Sequence, residues 1–158
     1  MAVQTPVSPD DRAYRVAVSR QLRELLARQR ERFLCYLDSL KKQRVAIESG
    51  NTDALLARLE LEEHIVTDIF SIQRVIDPLE NIYNAAIPVS GDVSALKASL
   101  DDLWNQAVQQ SARNRELLSV RMADIRVAIA GLRNNPFTNA SRSRHHHSGA
   151  ASLIDIKG

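Results

Sequence analysis

The feature that most constrains this chain is a row of apolar residues, Ile65, Ile69, Ile72, Ile76, Leu79 and Tyr83, whose spacing alternates between four and three. That alternation keeps every member on one stripe of a helix, so the stretch from Thr52 to Tyr83 is a helix with a heptad seam and needs a partner helix. Leu61, Val75 and Ile82 widen the seam on one flank, and Leu59 and Val66 widen it on the other. A stripe this broad predicts a helix lodged between two others.

The rest of the 158-residue chain supplies them. It holds only five Gly and five Pro, and the runs between them are rich in Leu, Ala, Arg, Glu and Gln, the composition of long helices. Ser8, Pro9, Asp10 and Asp11 place a capping hydroxyl, an N1 proline and two first-turn carboxylates in order, which starts a helix at about residue 9. Val18, Leu22, Leu25, Leu26, Phe33, Tyr36, Leu37, Leu40 and Ile47 then share an arc of about 120° at 100° per residue, with no breaker before Gly50. Gly50 and Asn51 supply a left-handed stop, and Thr52 with Asp53 caps the next helix. A connection this short makes antiparallel neighbours.

The second helix is expected over about 52–86. Pro78 kinks or briefly breaks it, and the unbroken heptad phase favours the kink. Ile87-Pro88 and Ser90-Gly91 mark a loop, and a third helix follows over about 93–133. Its first half carries Leu96, Leu100, Leu103 and Ala107, and its second half Leu118, Met122, Ile125, Ile129 and Leu132. The step of eleven residues between the halves is a stutter, filled by the polar stretch Gln109 to Arg115. Such a stretch either fixes register or leaves a place for a partner to complete the core. Trp104, beside the seam, is a core-edge residue or a partner contact. Asn134, Asn135 and Pro136 end the helix. The expected fold is all-α: an elongated antiparallel three-helix coiled-coil bundle over 1–135, with a disordered tail over 136–158.

Charge excludes several functions. The net charge is only +2, split as +4 over 9–49, −5 over 51–86, +1 over 92–133 and +2 beyond. A basic first helix beside an acidic second one steers their pairing, and the arginines at 28, 30 and 32 have no aromatic or Gly-rich companion that would suggest nucleic acid. No window is apolar enough for membrane insertion, and no leader follows Met1, so a cytoplasmic location is expected. Cys35 is a bystander off the apolar arc. Glu62, with Glu63 and His64 beside it, is expected to pair with arginines of the first helix. His145, His146 and His147 lack the fixed geometry of a metal site. With no nucleophile and base, phosphate loop or metal-ligand spacing, the chain reads as non-enzymatic and free of cofactors. The terminal run Ser152 to Gly158 alternates apolar and polar, as a short recognition peptide does.

Two motifs add a family likeness. The run Ile47-Glu48-Ser49-Gly50-Asn51-Thr52-Asp53-Ala54-Leu55 and the later Asn114-Arg115-Glu116-Leu117-Leu118 resemble the hairpin and the Asn-Arg-x-Leu-Leu signature of the FlgN-like flagellar export chaperones. The resemblance covers roughly residues 10–135. It implies a cytoplasmic type III export chaperone that holds flagellar hook-filament junction proteins by their C-terminal helix and brings them to export gate components. It also implies partner contact at Asn114, Leu118, Met122, Ile125, Ile129 and Leu132, and gate contact at Phe137. The continuous Ile seam leaves a second reading open, a self-associating coiled-coil scaffold, and with it a homodimer.

Overall fold

The computed structural model describes residues 8–86 and 91–134, and all of these but Ser8, the Gly50-Asn51 turn and Asn134 lie in three long helices. These are α1 (Pro9–Ser49), α2 (Thr52–Ala86) and α3 (Gly91–Arg133). The chain divides into two compact units, the first ending at Leu117 and the second beginning at Leu118.

In the first unit, helix directions can be read from paired side chains. From α1 to α2 the contacts run Gln29 with Gln73, Arg32 with Asp68 and Ser39 with Glu62, so the two helices are antiparallel. From α1 to α3 they run Arg23 with Asp92, Arg30 with Ser99, Phe33 with Trp104 and Gln43 with Asn114, so α3 runs parallel to α1. A helix against each of its neighbours is what the broad stripes require. Helix α2 buries Ile65, Ile69, Ile72, Ile76 and Tyr83, the seam read from the sequence. Against it lie Leu22, Leu26, Phe33, Leu37 and Leu40 of α1 and Val93, Leu100, Leu103 and Ala107 of α3. Each Val, Leu, Ile or Phe side chain of this set withdrawn from water stabilises the fold by roughly 1.5–3 kcal/mol before entropy is counted.

Local chemistry explains the turns. Gly50 adopts φ 67°, its N–H donating to the Ile47 carbonyl at 3.2 Å and that of Asn51 to the Ala46 carbonyl at 3.0 Å. This pair of bonds closes the last turn of α1, and only glycine takes that backbone shape without cost. The cap of α2 differs from the expectation of Thr52 and Asp53: Asn51 does the work, its Oδ1 accepting from the Ala54 N–H at 3.0 Å. The glycine turn ends one residue before Asn51, which leaves Asn51 at the capping position with its side-chain oxygen three residues from the Ala54 N–H. Pro78 lies inside a continuous α2, so the helix does not break there.

The flanks of α2 depart from expectation. Leu59, Leu61, Val75 and Ile82 are exposed, because the neighbouring helices cover the seam itself and not its margins. Residues 135–158, including Phe137, the three histidines and the terminal peptide, lie outside the described residues.

Candidate partner-binding surface

Where the α1 seam turns polar, the interior follows. Gln29, Ser39 and Gln43 of α1 are buried, as is Asn114 of α3 at 2 % exposure. The Asn114 amide nitrogen donates to the Leu40 carbonyl at 2.8 Å and to Gln43 Oε1 at 2.7 Å, while Gln110 Nε2 donates to Asn114 Oδ1 at 2.9 Å. Gln43 Nε2 donates in turn to Glu62 Oε2 at 3.3 Å, and Ser39 Oγ to Glu62 Oε1 at 3.5 Å. One polar layer thus joins all three helices.

Glu62 therefore pairs with neutral groups, not with the arginines of α1. Those arginines reach Glu24, Asp68, Ser99 and Glu48 on the outside, too far round their helix to enter the interior. Burial lifts the Glu62 carboxyl above the usual glutamate value, only partly offset by the Ser39 hydroxyl. The same burial, with the Glu62 charge nearby, raises the Tyr36 phenol.

Asn114 is thus interior to the first unit, where it fixes register across the polar stretch. The other expected contact residues belong to the second unit. Leu118 is half-buried, and Met122, Ile125, Ile129 and Leu132 are exposed, spaced four, three, four and three so that they form one stripe. At 100° per residue Arg121 borders the stripe on one side, Arg126 and Arg133 border it on the other, and Asp124 turns away. An apolar stripe edged with guanidinium groups suits an amphipathic helix with acidic margins.

The first unit carries a feature the sequence reading did not include. A cavity of about 380 Å³ opens over a floor of Leu26, Phe33, Ile69, Ile76 and Leu100, with Phe70 of α2 and Trp104 of α3 on its rim. Phe70 is 58 % exposed and Trp104 51 %, and the Trp104 ring stands edge-on to Phe33 with centroids 6.0 Å apart. The signal for this groove was Val66, Phe70 and Gln73, a second row one step off the Ile seam. Cys35 is exposed and unpaired in any disulfide. Among the described residues no group of acidic, His or Cys side chains could hold a metal, and no helix is long and apolar enough to cross a membrane.

No family model matches the chain, and no solved structure matches it. A protein of Treponema pallidum (strain Nichols), described as an uncharacterized protein, is 33 % identical over 120 residues, 76 % of this chain and 78 % of the relative. The chain belongs to the family of that protein. The matched length exceeds any two of the three helices together, so the likeness to the Treponema protein is not confined to one helix. The name of the Treponema relative carries no activity to transfer.

Proposed function

We propose that this chain is a cytoplasmic, non-enzymatic export chaperone of the FlgN-like kind. It binds the C-terminal helix of a flagellar hook-filament junction protein, keeps it unassembled and delivers it to the export gate. The observation that carries the reading is the bordered stripe Leu118, Met122, Ile125, Ile129 and Leu132, apolar side chains in helical register that the monomer leaves largely open to solvent. Exposed apolar surface of this regularity marks an interaction site. The three-helix architecture and the Asn114 to Leu118 run agree with the family likeness, and Phe137 would be the gate contact.

The test is capture of a labelled junction-protein C-terminal helix by the full chain, followed by fluorescence anisotropy. Replacing Leu118 and Ile125 by Asp should weaken capture by roughly 30-fold or more, as loss of a buried hot spot does. Unchanged capture by that double variant would remove the basis of the proposal.

A further inference from the structure

The groove rimmed by Phe70 and Trp104 has no role in the chaperone reading, yet it is apolar, open and long. On α2 it extends from Val66 to Glu80. That span rises about 21 Å along a helix, the same as the span from Leu118 to Leu132 on α3. Charge agrees with length. Glu63 and Asp77 stand one heptad to either side of Phe70, and Asp101 lines the opposite wall. Of the nearby cations, Lys97 is engaged by Glu80 and Arg74 shares the α2 rim. Arg115 stands beyond Trp104 near Tyr36, at one end of the trough, so that Glu63, Asp77 and Asp101 leave its long edges acidic. An acidic-edged apolar trough in one part of the chain therefore complements an apolar stripe edged by Arg121, Arg126 and Arg133 in another.

We propose that the groove is the docking site for residues 118–132 of a second copy of this chain. A contact between two different surfaces can close on itself when each copy supplies one stripe and one groove, so the smallest closed assembly is a dimer. A fourth helix over the trough covers the two aromatic rims and completes a four-helix arrangement around Ile69 and Leu100. The contact involves no cargo and stands whether or not the flagellar reading holds. Where both hold, the dimer covers the stripe until a partner competes for it.

The experiment is sedimentation velocity on the purified full chain with no partner added. A concentration-dependent dimer is expected, with a blue shift of fluorescence from Trp104, the one tryptophan in the chain, as the dimer fills. Ile125→Asp on the stripe and Phe70→Lys on the groove rim should each weaken the dimer by roughly 30-fold or more. Both positions are exposed, and circular dichroism should show helix content unchanged. An equimolar mixture of the two variants should regain a mixed dimer, because one intact stripe still meets one intact groove. A wild-type chain that stays monomeric at roughly 100 μM, where a specific contact should be populated, would overturn the proposal. So would a dimer indifferent to Phe70→Lys, which would mean stripe against stripe, or a mixture that does not associate.

Discussion

The side-chain amide of Asn114 donates to the main-chain carbonyl of Leu40, 74 positions earlier, at 2.8 Å, and thereby fixes the register of α3 on α1. A side chain of this kind costs stability relative to an apolar one but rejects neighbouring registers, where its polar atoms would be buried without partners.

Asn114→Ala should therefore lower stability by about 2 kcal/mol, since Gln43 and Gln110 each lose a buried partner. Urea unfolding followed by circular dichroism measures this, and a midpoint equal to wild type would show that the polar layer contributes nothing.

Glu62 sets a pH dependence. Burial raises its carboxyl in the folded state, so the folded protein binds the proton more tightly than the unfolded chain does. The stability this contributes is present below the ordinary glutamate value and is lost as pH rises through the raised one. Glu62→Gln should match wild type in acid and melt higher than wild type at neutral pH. Thermal melts from pH 4 to pH 8 decide it: a constant difference in Tm across that range would contradict the assignment.

Gly50→Ala should cost about 1 kcal/mol, because the left-handed backbone at φ 67° strains any residue with a Cβ. No atom crowds the position, so the loss is conformational and a differential scanning experiment should show a lower Tm with helix content retained.

Ile76 and Ile125 make a paired comparison. Ile76 is 1 % exposed, and Ile76→Ala should destabilise by about 2–5 kcal/mol through the cavity it leaves. Ile125 is 58 % exposed, and Ile125→Ala should change stability by no more than about 0.5 kcal/mol while reducing binding of a helical partner. Equal destabilisation by the two would mean that the stripe is structural.

Much of the fold is legible in the sequence. The Ile65 to Tyr83 row, the Gly50 stop and the Pro9 start each have one physical reading, and the helices begin and end near where those residues placed them. The polar interior is less legible, though its signal is present. Leu22, Leu26, Gln29, Phe33, Tyr36, Leu40, Gln43 and Ile47 alternate by four and three, so the two glutamines occupy seam positions that a search for apolar residues alone passes over. In the same way Asn114 sits between Ala107 and Leu118 at seam spacing, within a stretch that looked like an interruption. The partners of Glu62 and the groove beside Phe70 depend on how helices rotate against one another. That rotation is decided by packing between segments far apart in sequence, which periodicity within one helix does not report.

Among the described residues, every buried one lies at or before Asn114, whereas the arginine-bordered apolar stripe lies wholly after it. On the proposed reading, holding the helices together and choosing what to hold fall to separate stretches of one polypeptide. On that reading a substitution in the second stretch changes what is bound without weakening the first, so divergence in the family should be read position by position before it is taken as loss of kinship.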